Sequence, residues 1–131
     1  MKKAIDDILV SILEDIEFSS HEREVMKEEV DNFLEKTTKR IKRLGIDATF
    51  FVGGSYARGT GIRNKVCDID IYLRFAKIYR EEEYFKLIKK IFRFTKGKKF
   101  VHGSRDYLKI WIYPWLFFEI IPIQKIGKNE V

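Results

Sequence analysis

The sequence predicts an α+β domain in which helices pack against one mixed or antiparallel β-sheet. Three observations carry that prediction. Two segments with helical periodicity come before any strand signal, later segments alternate apolar and polar residues with period two, and a further helical segment interrupts them. At 131 residues, 45% of them hydrophobic, the chain fits one domain able to bury roughly two thirds of its unfolded surface.

Ile5, Ile8, Leu9, Ile12, Leu13 and Ile16 recur at helical spacing and predict a first amphipathic helix over Lys3 to Ile16. Ser19 and Glu22 stand at capping-box spacing. Behind them Met26, Val30, Phe33, Leu34, Ile41 and Leu44 form the apolar stripe of a second helix that Gly45 stops. Ala48 to Val52 reads as a short strand feeding a Gly53-Gly54 turn, after which Ser55 to Arg58 reads as the opening of a helix. Asp68 to Phe75 alternates strictly and is a strand, and Glu82 to Thr95 is helical with Phe85, Ile88, Ile91 and Phe92 on one side. Lys96-Gly97-Lys98 breaks that helix before a short strand over Lys99 to His102. Tyr107 to Tyr113 alternates again, and Pro114-Trp115 turns the chain into a last strand, Leu116 to Ile121. Repeats, linkers and low-complexity tracts are absent. The expected organisation is one domain over 1–131, with helices in 1–45 and the sheet with its helices in 46–131.

The 26 Lys and Arg outnumber the 20 Asp and Glu by six, a balance that favours polyanions such as nucleic acid or nucleotides. A single cysteine, Cys67, excludes an internal disulfide, and with only two histidines a zinc site is not expected; the inference is a reducing cytoplasm. No apolar run reaches the length of a membrane span, the longest, Ile110 to Ile123, being broken by Pro114 and Glu119.

The chemistry concentrates in GGSYARGTGIRNKVCDIDIYLRF. In an extended strand Asp68, Asp70, Tyr72 and Arg74 share one face and Ile69, Ile71, Leu73 and Phe75 the other. The two carboxylates stand roughly 6–7 Å apart at Cα, repel one another, and are typical ligands for a hard ion such as Mg²⁺. Glu119, inside the apolar run FFEII, is a charge that needs a partner. If the strand carrying it neighbours the aspartate strand, three carboxylates surround a two-metal site of the kind used in phosphoryl transfer. The competing reading is a strand-edge glutamate facing water. The glycine turn offers backbone N–H groups and the Ser55 hydroxyl to a phosphate, with Arg58 and Arg63 to neutralise a triphosphate. It is neither a Walker loop nor a dinucleotide fingerprint.

Other features carry two readings each. Tyr56, His102, Arg105 and Tyr107 can touch nucleotide or RNA, while Ser104-Arg105-Asp106 is equally a turn with an internal ion pair. The cluster Lys89-Lys90, Arg93, Lys96 and Lys98-Lys99 suits a phosphate backbone or a solvated face. The basic run Lys36 to Arg43 reads as helix surface. Trp111, Tyr113, Trp115, Phe117 and Phe118 can stack bases, form core or bury a domain interface, the last being the expectation.

Gly54-Ser55, then Asp68-Ile69-Asp70, then a later strand carboxylate resembles the signature of the DNA polymerase β-like nucleotidyltransferase superfamily. Within it, GGSYARGTGIRNKVCDIDIYLRF, VHGSRDYLKIW and FFEIIPIQKI look most like the catalytic domain of archaeal-type (class I) CCA-adding tRNA nucleotidyltransferases, over about Phe51 to Ile126. The resemblance implies a nucleotidyltransferase palm with Asp68, Asp70 and Glu119 as catalytic and metal carboxylates, and Gly54, Ser55 and Arg58 at the nucleotide's triphosphate. It implies Mg²⁺, ATP and CTP as substrates, and the tRNA 3′ end as acceptor. Glu119 stands where that family more often has Asp. The family also continues into tRNA-binding domains that this chain lacks, which leaves a split form with a second polypeptide, or a truncated form, as expectations. Two alternatives stand beside it: a minimal nucleotidyltransferase that adenylylates a partner protein, and a non-catalytic RNA-binding fragment.

Overall fold

A computed structural model describes residues 18–59 and 65–124, with the backbone alone for 55–59. The helix expected over Lys3 to Ile16 lies outside the described residues. The first described element, α1 (Ser20–Leu44), is fixed at both ends by its own sequence. Glu22 N–H donates to Ser19 Oγ at 3.0 Å and Ser19 N–H to the Glu22 carboxylate at 2.9 Å, closing the capping box. Gly45 ends the helix in the left-handed region at φ 71°, its N–H reaching the carbonyls of Ile41 and Lys42. Met26, Val30, Leu34, Thr37 and Ile41 are buried along one stripe, the Thr37 hydroxyl satisfied by donating to Phe33 O at 2.6 Å. Leu44, expected on that stripe, is exposed; the chain reverses at Gly45 and Ile46 packs against the core instead.

Five strands follow: β1 (Ala48–Gly59), β2 (Lys65–Phe75), β3 (Lys98–Val101), β4 (Tyr107–Tyr113) and β5 (Leu116–Gln124). Between β2 and β3 come a 3₁₀ turn, Glu81–Glu83, and α2 (Tyr84–Ile91). The sheet order is β1-β2-β5-β4-β3, with β2 and β5 parallel and every other pair antiparallel. The mixed α+β architecture expected from the sequence is therefore the observed one, compatible with a nucleotidyltransferase-like fold.

Three elements depart from expectation. β1 does not stop at Val52, and 55–58 do not open a helix. The strand runs on to Gly59, opposite β2, through a bulge in which Val52 pairs with Ile71 and Gly54 with Asp70, leaving Gly53 as the extra residue. A Cβ on Gly53 would enter the ring of Tyr72, so the bulge fits only glycine without moving that ring. α2 ends at Ile91 rather than Thr95, Phe92 leaving the helical region at φ −105° and ψ 22°, and side chains take the carbonyls at and just past that end. Arg40 donates to Ile91 O at 2.8 Å, and Lys98 to Phe92 O and Arg93 O at 2.7 and 2.9 Å. β5 continues through Pro122 to Gln124 along β2, past the point where its pairing with β4 stops at Ile120; a proline is tolerated where one flank is unpaired.

Alternation then sorts the sheet into two faces. Cys67, Ile69, Ile71, Leu73 and Phe75 of β2, Leu108 and Ile110 of β4, and Leu116, Phe118 and Ile120 of β5 are all buried in one core with Ile88, Ile91 and Phe92. Phe33 of α1 joins helix to sheet, its ring 5.0 Å from Phe118, 5.9 Å from Phe92 and 6.1 Å from Phe50. Phe118, and Phe117 on the other face, are thus buried, whereas Trp111 and Tyr113 remain exposed. Among the described residues no helix is long and apolar enough to cross a membrane.

Gly97 sets β3 against β4. It has φ 71°, its carbonyl accepts the Trp111 N–H at 2.8 Å, and a Cβ there would lie 2.9 Å from Trp111 O. Gly97→Ala is expected to cost about 1–3 kcal/mol, from the left-handed backbone and the crowded carbonyl together. Urea denaturation measures it, and an unchanged midpoint would show that this contact relaxes freely.

Candidate active site

The face of the sheet against which none of the described helices packs carries the polar residues, and strand register decides which of them meet. β2 and β5 run parallel with Asp70 opposite Glu119 and Asp68 opposite Phe117. On the far side of β5, Glu119 faces Lys109 and Phe117 faces Trp111. One row across the sheet therefore reads Gly54, Asp70, Glu119, Lys109, Lys99, and the next reads Tyr56, Asp68, Phe117, Trp111.

Asp68 is buried, at 1% exposure, while Asp70 and Glu119 are half-buried. The Asp70 and Glu119 carboxyl groups share a hydrogen bond. Burial, then the charges of Asp68 and Asp70, and then that hydrogen bond push Glu119 up to about 7, with Lys109 opposing them. Asp70 is also raised, first by burial, with Asp68 adding and the bond to Glu119 subtracting. Below about pH 7 a proton on Glu119 can bridge to Asp70, which lets like groups touch without two full charges. A hard divalent ion would serve the same end, and three carboxyl groups are the donor chemistry it favours. Among the described residues, no three side chains already converge as a ready-made ligand cluster.

Of the residues singled out from the sequence, Asp68, Asp70 and Glu119 lie on one face of neighbouring strands. Gly54 is directly opposite Asp70 on β1. Ser55 and Arg58 take strand positions opposite Ile69 and Val66, and their side chains, like all of Arg63, lie outside the described residues. Tyr107 faces the carboxyl groups, whose charges add to burial in raising its hydroxyl. His102 and Arg105 do not join them. His102 Nδ1 instead lies 3.5 Å from Asp106, which also accepts the Gly103 N–H at 3.3 Å, so in this loop it is His102 that is placed against Asp106. Arg105 lines a separate cleft of 1080 Å³ at the end of the sheet, with Lys77, Arg80 and Glu82. Cys67, pushed up to about 12 by burial and then by Asp68, is an inert core thiol.

Lys109 was not among the expected site residues. Its ammonium sits 4.2 Å from the Phe117 ring centre and 5.1 Å from that of Trp111, beside Glu119. Alternation alone places Lys109 on a face with Tyr107 and Trp111; only the β4–β5 register brings it to Glu119.

A mixed sheet with acidic residues on adjacent central strands of the face opposite its core is a frame suited to a nucleotidyltransferase palm. Over 77 residues, 58% of its length, the chain is 40% identical to the CCA-adding enzyme of Nanoarchaeum equitans (strain Kin4-M). The match covers 19% of that protein, so the chain spans about a fifth of the length of the curated relative. No family model matches the chain.

The Glu119 shift has a pH consequence. A carboxyl group whose folded value lies near 7, above its ordinary 4.5, contributes stability that is present below about 4.5 and lost as pH rises through 7. In chelator-containing buffer the unfolding free energy should therefore fall between pH 5 and pH 8. Glu119→Gln, which keeps a donor toward Asp70 and cannot ionise, should lose less over that interval. Equal pH dependence in both proteins would mean that Glu119 titrates normally.

Proposed function

We propose that this chain is a metal-dependent nucleotidyltransferase domain that joins CMP or AMP to the 3′ end of tRNA. The observation that supports it most is the side-by-side placement of Asp70 and Glu119 on parallel β2 and β5, with Asp68 on the same face. The similarity to a CCA-adding enzyme supports the choice of tRNA as acceptor and of nucleoside triphosphates as donors. Under this reading Asp68, Asp70 and Glu119 would hold Mg²⁺. The ions would supply charge neutralisation at the triphosphate and a more acidic attacking hydroxyl.

The chain's own residues set the conditions for that step. The core beneath β2 and β5 fixes the spacing of the carboxyl groups, and burial of Asp68 keeps bulk water from screening them. Gly54, opposite Asp70 with open space where a Cβ would stand, leaves room at the backbone for a phosphate. Gly54, Ser55 and Arg58 are the proposed triphosphate end of the site. A second polypeptide bearing tRNA-binding surface is a further proposed partner.

The test is incubation with Mg²⁺, labelled CTP or ATP, and tRNA lacking its 3′ terminus. Label on tRNA is expected; label on protein would favour an adenylylating enzyme. Asp70→Asn should retain the fold, since Ile69 and Ile71 face the core, and lose roughly a thousandfold or more in transfer rate. Near-normal transfer by that variant would end the assignment. Titration of this chain with ATP, CTP, GTP and UTP should give Mg²⁺-dependent affinities within about tenfold of one another, roughly 1.4 kcal/mol, because phosphate contacts do not distinguish bases. A much sharper preference would place base selection within these residues.

A further inference from the structure

We infer that the β4–β3 half of the sheet face opposite the core binds an unpaired polynucleotide strand, with a base stacked on Trp111 and its phosphates on Lys109 and Lys99. What happens to the strand's 3′ end rests on the transferase reading; the binding surface does not. Trp111 is 40% exposed in the middle of a strand whose other face is core. It packs edge-on against buried Phe117 at 5.0 Å, which holds the indole in place while leaving area for a second ring. Aromatic faces presented this way stack bases of any identity.

Charge names the occupant. The Lys109 ammonium lies against both rings, and its cross-strand partner on β3 is the exposed Lys99. Like charges directly opposite on antiparallel strands destabilise a sheet unless an anion lies over them. Lys98, next in sequence, faces the other way and donates to the Phe92 and Arg93 carbonyls just past α2, so Lys99 and Lys109, the latter with Glu119 on its other flank, are the two cations of this row. The row Asp70, Glu119, Lys109, Lys99 thus runs from acidic to basic, and two inter-strand spacings, about 10 Å, separate Trp111 from Asp68 along the adjacent row. A strand lying on β4 and β3 would direct its end toward the carboxyl groups. A protein partner on the same surface would not require two opposed lysines.

The test is a fluorescence titration of the Trp115→Phe protein, which leaves Trp111 as the sole tryptophan, with single-stranded RNA and DNA 12-mers and a 12-mer duplex in EDTA. Quenching by the single strands is expected, with weaker binding of duplex. Anisotropy with end-labelled 12-mers follows variants that lack the reporter. Trp111→Phe should bind as the parent does, whereas Trp111→Leu, of similar apolar character but without a ring face, should bind between about fivefold and a hundredfold more weakly. Lys99→Gln with Lys109→Gln should reduce the slope of log affinity against log salt by about 1.4. Unaltered binding by Trp111→Leu, equal affinity for duplex, or absence of binding would overturn the inference. So would self-association abolished by Trp111→Leu, which would make the patch an interface between protein copies. If the parent protein binds the strands as expected while tRNA receives no label from it, the transferase reading fails and this surface stands.

Discussion

Asp70 and Glu119 can stand side by side only because the opposite face of the same two strands holds them there. At about 5 Å and an effective dielectric near 20, two full negative charges would repel by about 3 kcal/mol. Behind them Ile69, Ile71, Leu73, Phe118 and Ile120 are fully buried, each contributing about 1.5–3 kcal/mol by leaving water. The apolar contact wins, and the upward shift of Glu119 to about 7 lets a proton there relieve the remaining repulsion below that pH. The acidic centre is thus imposed by packing from beneath.

The same register that brings the acids together distributes everything else on that face. Lys109 lands beside Glu119, Trp111 beside Phe117, and Gly54 beside Asp70. The bulge at Gly53 adds to this by shifting β1 one residue out of phase beyond Val52, so that Gly54 rather than Gly53 stands opposite Asp70, and Tyr56 rather than Ser55 opposite Asp68. On the outer edge, Arg74 lies 3.7 Å from the Phe51 ring, which stacks on Tyr72 at 5.0 Å, a cation and two rings that close the sheet's flank around the glycine.

Local patterns in the sequence carried far. The alternation of Asp68 to Phe75 and Tyr107 to Tyr113, the capping box at Ser19 and the stop at Gly45 are properties of a few neighbouring residues, and the structure realises each. The adjacency of Glu119 to the aspartates followed from the cost of a charge in an apolar strand. What stayed illegible was set by distant partners. A Gly-Gly pair signals a turn until a strand is known to lie alongside it, and the carbonyl at the early end of α2 is taken by Arg40, 51 residues away from Ile91. Lys109 became a site residue only through pairing with β5. Trp111 and Phe117, alike in sequence, differ in burial because one lies on the central strand and the other on its neighbour.

The strand order has a consequence for how such a domain is assembled. β5, the last of the described strands in sequence, occupies the centre of the sheet, between β2 and β4. Until it emerges from the ribosome, the β1–β2 hairpin and the β3–β4 hairpin have no common partner, and both present apolar faces with unpaired backbone edges. Closure then joins residues about fifty positions apart in a parallel pairing, the slow kind of contact. A growing chain of this topology passes through an interval in which two half-sheets wait for their middle strand, and that interval is where chaperone binding and edge-to-edge association between nascent copies would compete with folding.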